Sequence, residues 1–238
     1  MIRGRIYDPR RRDILGCFSP PVMIATMAVE LTFAVWTAWR YRVSAASRLL
    51  VLTYVMLAIF QMAEFEVCAG PDVFHMVASR LGYVAITLLP PLGIHLAYVL
   101  AGVHNRLIIW PAYLGALTFS IVYLATGAIT GDRCQGNYVI FHVGDQLSWA
   151  YGFYYYGWLL VGIILAWRLR RRLGRGRQHV LLWLMIGYLT FLVPTTIANF
   201  LARDTLAAIP SVMCGFAVLF AFILAIKIAP AARLKRRR

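Results

Sequence analysis

Long apolar blocks alternate with short polar connections along the whole chain. Each block has about 20 residues, and a helix of that length crosses roughly 30 Å, the thickness of the hydrocarbon core of a bilayer. The pattern predicts seven membrane helices, at 20–39, 49–69, 79–101, 107–129, 148–167, 180–201 and 208–228. The predicted fold is therefore all-α and polytopic, with a basic N-terminal tail at 1–19, a seven-helix membrane domain at 20–229 and a basic cytoplasmic tail at 230–238.

Composition agrees with this pattern. The chain has 238 residues, of which 61% are hydrophobic and only 14% are charged. A soluble domain normally has about 25% charged residues. The first apolar block begins too late, and lacks the small-residue cleavage site, to be a signal peptide.

The distribution of basic residues predicts the orientation. The loops after the first, third and fifth spans, together with the C-terminal tail, hold 16 of the 24 lysines and arginines. The positive-inside rule makes that side cytoplasmic, so the N-terminus is expected outside and the C-terminus inside a bacterial inner membrane. The segment RGRIYDPRRRD near the N-terminus opposes this orientation, because it carries five arginines. It is interpreted as an interfacial tail on anionic headgroups, with a partner-docking arm as the alternative.

The net charge of +15 indicates possible partners. Most of it is predicted to lie at the cytoplasmic face, where it suits anionic lipids or a membrane or cytoplasmic protein. Nucleic acid is not an expected partner, since the charge is spread over short loops and no nucleic-acid motif is present.

Three of the four cysteines are predicted at the outer face, which is an oxidising environment in bacteria. They are Cys17, Cys68 and Cys134, whereas Cys214 lies within the seventh span. Bonds between Cys68 and Cys134, or between Cys17 and Cys134, would each tie an outer loop to a helix end. Free cysteines are the remaining alternative, because connectivity cannot be deduced from sequence.

Polar side chains within the spans are candidates for a site in the outer half of the membrane. Ionisable groups at such depth are rare and usually face the helix bundle. Gln61 and Glu64 share a face of the second span, and Glu30 lies near the middle of the first. Arg80 opens the third span at the depth of Glu64, and we expect these two to form an ion pair. Asn199 completes the candidate pocket from the sixth span.

Two further predictions concern Glu66 and the aromatic start of the fifth span. Glu66 is expected on another face of the second span, closer to the headgroups and solvated. The run WAYGFYYYGW, at 149–158, opens the fifth span. It is interpreted as an interfacial aromatic belt with helix packing, and the alternative is that its tyrosines line an apolar ligand pocket.

Motifs for catalysis and for cofactors are absent from the sequence. The seventh span has a lysine only at its end, Lys227, where a retinal Schiff base would need one at mid-depth. No HExxH, GxSxG or glycine-rich phosphate loop occurs, and no spacing supports a metal site. We therefore expect neither enzymatic activity nor a cofactor.

Three stretches resemble the seven-helix N-terminal sensor region of bacterial membrane histidine kinases and diguanylate cyclases. RLGYVAITLLPPLGIHLAYVLAG (80–102) is similar to the third span of that region, with its arginine, aromatic residue and proline. RQHVLLWLMIGYLTFLVPTTIANF (177–200) is similar to the sixth span, and AIPSVMCGFAVLFAFILAIKI (208–228) to the seventh. The resemblance implies an input module that passes a helix movement to an output domain. Here we expect either that a separate protein reads the cytoplasmic face, or that the module serves as a receptor, carrier or assembly subunit.

Three functions are consistent with these observations. The first is a non-catalytic membrane sensor or receptor-like module with an outer-half polar pocket, which signals to a separate cytoplasmic partner. The second is a structural or assembly subunit of a larger membrane complex. The third is a small proton-coupled transporter in which Glu30 carries the proton.

Overall fold

The structure is a computed structural model that describes residues 19–41, 43–103, 105–135, 138–201 and 209–231. These residues form seven long helices and one β-hairpin. The helices are α1 (Pro20–Arg40), α2 (Ala45–Ala69), α3 (Asp72–Ala101), α4 (Arg106–Ala125), α5 (Asp145–Arg170), α6 (Arg175–Leu201) and α7, which covers Ile209–Ile223 and continues to Ala231. The strands are β1 (Ile129–Gln135) and β2 (Tyr138–Val143).

All seven helices are long and apolar enough to cross a membrane. The predicted number of long apolar helices is confirmed, and they indicate a multi-pass membrane protein. The largest difference in bounds is at α3, which begins at Asp72, seven residues before the predicted start. Its first two turns contain polar residues and so lie outside the apolar block, but they are helical nonetheless because they pack beneath the hairpin.

Helix α3 lies at the centre of the bundle. It packs against α2, α4, α5 and α6, while α7 packs against α1, α2 and α6 and closes the other side. Short connections keep successive helices antiparallel. Ser44 caps the start of α2: its hydroxyl accepts a bond from the Ser47 N–H at 3.1 Å, and the Ser47 hydroxyl accepts one from the Ser44 N–H at 2.8 Å.

The two ends of the bundle differ. The arginine end carries Arg40, the α5–α6 connection and the last turns of α7. There the Arg177 guanidinium donates to the carbonyl of Ala101 at 3.0 Å, next to Gly102, whose φ of 71° ends α3 in the left-handed region that glycine favours. The hairpin end carries the end of α2, the start of α3 and the two strands.

The β-hairpin was not predicted from the sequence. Strands β1 and β2 pair antiparallel, with Cys134 opposite Val139 and Asp132 opposite Phe141. The predicted fourth span continued to residue 129, whereas α4 ends at Ala125 and Ile129 begins β1. Short apolar stretches such as YVIFHV fit a strand as well as a helix, and only their packing on α2, α3 and α7 decides between the two.

Candidate functional site

A partly open cavity of about 330 Å³ lies at the hairpin end, between α3, α4, α5, the hairpin and the start of α7. A volume of this size is within the range of small-molecule sites. Its lining is mainly aromatic and aliphatic, and it consists of Tyr83, Ile86, Tyr123, Ile140, Phe141, His142, Val143, Ser148, Tyr151, Gly152, Tyr155, Tyr156, Ile209 and Pro210.

Tyrosines dominate the lining and hold one another in place. The rings of Tyr83 and Tyr123 are 4.6 Å apart, and Tyr151 packs against both, at 5.7 and 5.5 Å. The Tyr151 hydroxyl is 3.1 Å from the Thr87 hydroxyl. In contrast, the Tyr123 hydroxyl is buried and has no hydrogen-bond partner among the described residues. A buried phenol without a partner is a free donor for an acceptor atom on a ligand.

The hairpin is fastened over the cavity by three contacts. Cys134 forms a disulfide with Cys68 at the end of α2. Beside it, the Ser79 hydroxyl donates to the Asp132 carboxylate at 2.5 Å, and His75 Nδ1 lies 3.9 Å from the same carboxylate. These contacts attach β1 to the end of α2 and to the first turns of α3, and so fasten the hairpin that covers the cavity.

The disulfide is one of the two pairings that the sequence left open. Its position depends on α2 ending at Ala69, immediately after Cys68, and on β1 passing over that helix end. Cys17 lies outside the described residues. Cys214 is free and buried in α7.

A second cluster of polar side chains is buried where α1, α2 and α7 meet. Glu30 is 0% exposed, and Gln61 and Glu64 are each 2% exposed. The two carboxyl groups are close enough to interact electrostatically, and Cys214 is within electrostatic range of both. The Ser211 hydroxyl lies beside the Glu64 carboxyl group. The structure therefore brings together three of the five residues that the sequence proposed.

The predicted ion pair between Glu64 and Arg80 is wrong. The Arg80 guanidinium donates instead to the carbonyl of Leu124 on α4, at 3.4 Å. The reason is the rotation of α3. Gly82 faces α2, because a Cβ at that position would meet Ala63 and Phe60. Arg80, two residues earlier, points about 200° away around the helix and so turns towards α4.

The other predicted positions stand as follows. Asn199 is half-buried near the end of α6, and we do not include it in the cluster. Glu66 is half-buried at the end of α2, where its carboxylate lies over Gly70. The run at 149–158 contributes Tyr151, Tyr155 and Tyr156 to the cavity lining. The alternative interpretation of that run as part of a cavity wall was therefore the more informative one, although nothing in the local pattern selected these three tyrosines.

Sequence reasoning missed the remaining cavity residues. Tyr83 lies close to Arg80, but it was noted only as the aromatic residue of the third-span resemblance, and Tyr123 lies in a predicted span without a neighbouring polar motif. Ile140 to Val143 lie in a strand that was not predicted. A scan against models of protein families found no match to the chain, and a search of the curated proteins found no similar protein. The cavity and the buried cluster are therefore interpreted from their own chemistry.

Proposed function

We propose that this protein is a non-catalytic membrane sensor that binds a small molecule in the tyrosine-lined cavity and signals to a separate protein. The observation that carries the proposal is the cavity itself, with its volume of about 330 Å³ and its fastened roof. A preformed, largely apolar cavity with a few polar groups is the usual form of a small-molecule site. The resemblance of three spans to bacterial sensor regions supports the same function.

The lining favours a neutral ligand that contains a ring. Apart from His142, the ionisable groups among the described lining residues are tyrosine hydroxyls. Aromatic faces and aliphatic side chains would contact the ring, and the unpartnered Tyr123 hydroxyl would donate to a carbonyl or hydroxyl oxygen of the ligand. Phenols, indoles and quinone headgroups have this chemistry.

Helix α7 would carry the signal. Ile209 and Pro210 at its start line the cavity. Its opposite end contains a π-helical turn, Leu224–Ile228, where the Lys227 ammonium lies 5.0 Å from the centre of the Trp183 ring. Irregular turns of this kind often occur at functional sites. If ligand binding moves the start of α7, this turn would transmit the movement to the arginine end.

A cavity-filling substitution tests the proposed ligand site. Gly152 lines the cavity and Gly157 lies on the same helix, and a Cβ at either position would meet no atom within 4 Å. Phenol, indole and a soluble short-chain benzoquinone serve as probes in thermal-shift measurements on the purified protein. We expect at least one probe to raise the melting temperature of the wild type and of Gly157→Leu, but not of Gly152→Leu. Equal responses of the two variants, or no response of the wild type, would contradict the proposal.

The proposal includes an orientation, with the hairpin end outside and the arginine end in the cytoplasm. The disulfide supports it, since disulfides persist in oxidising compartments, and so does the excess of arginine at the opposite end. A reporter that is active only in the cytoplasm should be active when it is fused after Arg238. A reporter that is active only in the periplasm should be inactive at the same position. The reverse result would overturn the orientation.

One observation favours a second function, that of an assembly subunit. Large apolar side chains on α4 are exposed at alternating spacings of three and four residues: Leu107, Trp110, Leu114, Leu117 and Ile121. This spacing suits a partner helix as well as lipid. Crosslinking between single cysteines placed at Leu114 in native membranes would favour assembly through α4. Monomeric behaviour in nanodiscs would leave lipid as the contact of this face.

A further inference from the structure

The seam between α1 and α2 contains a series of buried polar atoms without hydrogen-bond partners. They include both carboxyl oxygens of Glu30, one carboxyl oxygen of Glu64 and the side-chain nitrogen of Gln61. The hydroxyls of Thr37 and Tyr54 continue the series towards the arginine end. A buried polar group without a partner is costly. So many of them in one seam indicate that a small, mobile species satisfies their hydrogen bonds.

The register of the two helices places these groups opposite each other. Thr37 of α1 faces Tyr54 of α2, although their hydroxyls do not form a hydrogen bond of normal length. Seven residues make about two helical turns, which returns to the same face. In an antiparallel pair, Glu30 therefore lies opposite Gln61, and Glu64 lies one turn beyond, next to Ser211 and Cys214 of α7. The Gln61 side-chain nitrogen, which has no hydrogen-bond partner, thus belongs to a residue at the same level of the seam as the carboxyl pair.

The pair lacks a cation. Among the described residues, no arginine, lysine or histidine forms an ion pair with Glu30 or Glu64, and Arg80 is turned to α4. The titratable group near the pair on the described part of the packed helices is Cys214 of α7, which is ordinarily uncharged near neutral pH. Tyr54 of α2 lies about two turns away, beside Thr37. Two ionised carboxylates side by side in an apolar interior would repel each other without compensation.

We propose that Glu30 and Glu64 form a proton-binding site: the pair is protonated at neutral pH and exchanges its protons with water at the hairpin end. Each proton passes between water and a carboxylate oxygen, and no other bond is made or broken. Glu64 is the entry residue, because it lies five residues before the end of α2. This site is separate from the cavity, and the inference does not depend on the proposed ligand.

One side chain connects the two sites. The Ser211 hydroxyl accepts a hydrogen bond from the Val139 N–H of β2, at 3.1 Å, and lies beside Glu64. Loss of the proton from Glu64 would leave a carboxylate that requires a donor, and the Ser211 hydroxyl beside it can supply one. A change in the protonation of Glu64 would thereby alter the contact of Ser211 with β2, the strand that lines the cavity.

Infrared difference spectroscopy on the purified protein in nanodiscs tests the proposal. A protonated carboxyl group absorbs above the amide band, and its frequency falls when deuterium replaces the proton. We expect the wild type at neutral pH to show such a band and to shift it after transfer to D₂O. Glu30→Gln and Glu64→Gln should each remove part of the band, and the double variant should remove it all. Glu66→Gln, on the same helix as Glu64 but half-buried, is the matched control and should leave the band unchanged.

The wild-type spectrum alone can overturn the proposal, even if a variant fails to fold. Absence of the band at neutral pH would show that the carboxyls are ionised. A band that does not shift in D₂O would show a sealed structural proton without exchange. Loss of the band when sodium chloride replaces choline chloride would show that sodium, and not a proton, occupies the pair. Persistence of the band in the double variant would assign it to other residues.

Discussion

Replacing Gly93 with alanine should destabilise the protein by about 1–3 kcal/mol, the usual cost of overpacking a core. Gly93 lies in the middle of α3, and a Cβ there would overlap the hydroxyl of Tyr188 from α6. The Tyr188 side chain cannot easily move away from this Cβ. Its ring stacks on Phe220, with centroids 5.6 Å apart, and Gly162 of α5 closes the other side. The measurement is the thermal unfolding of the purified variant.

A second substitution separates this clash from a general effect of alanine. The Tyr188 hydroxyl is buried without a hydrogen-bond partner, so Tyr188→Phe alone should be close to neutral. In the double variant Gly93→Ala/Tyr188→Phe, the ring carbon that carried the hydroxyl remains 3.0 Å from the new Cβ, so part of the stability should return. Gly157→Ala is the control: it meets no atom within 4 Å and should be neutral or slightly stabilising, because alanine favours a helix over glycine. Strictly additive effects at 93 and 188 would refute the contact.

Removing the disulfide should also have a large effect. Cys68 and Cys134 are 66 positions apart. Closing a loop of that length lowers the entropy of the unfolded chain, which raises the free energy of unfolding by up to about 4 kcal/mol. The loss in Cys134→Ser should be smaller than this limit where the unfolded helices remain inserted in the membrane. Reductant should lower the melting temperature of the wild type in the same direction, because the roof of the cavity loses its covalent attachment to α2.

The control is the double variant Cys68→Ser/Cys134→Ser, whose melting temperature should not respond to reductant. Peptide mapping after alkylation should label Cys134 only in membranes that have been reduced first. Alkylation of Cys134 in untreated membranes would contradict the disulfide. A wild type whose stability is the same with and without reductant would show that noncovalent contacts, among them those of Asp132 and Ser211, hold the hairpin.

The sequence by itself determined the membrane character of this protein. Spans of about 20 apolar residues are sufficient evidence, since backbone groups in a bilayer must be satisfied within helices. The excess of arginine at one end and the two candidate pairings for Cys134 were also readable, because each depends only on the position of a residue along the chain. Likewise, Glu30 and Glu64 stood out as candidates simply by lying within apolar spans.

Only the tertiary structure decided which faces of the helices meet. In a soluble protein the apolar face of a helix marks the interior, but in a membrane the lipid-facing side is apolar as well, so the pattern does not report rotation. Arg80 illustrates this: its depth suggested Glu64 as a partner, whereas the approach of Gly82 to α2 turns Arg80 to α4.

The sequence did not predict the cavity or the surroundings of the carboxyl pair, because both depend on which helix faces meet. Tyr83, Tyr123 and Tyr151 come from three different helices, and Glu30 meets Glu64 because α1 packs on α2, while α7 adds Cys214 to the pair. The hairpin could not be predicted from the sequence for a further reason. Its strands are stabilised by pairing with each other and by packing on α2, α3 and α7, and these contacts join residues far apart in the chain. Local propensity carries no record of such contacts, so tertiary packing decided both the roof of the cavity and the surroundings of the buried carboxyl groups.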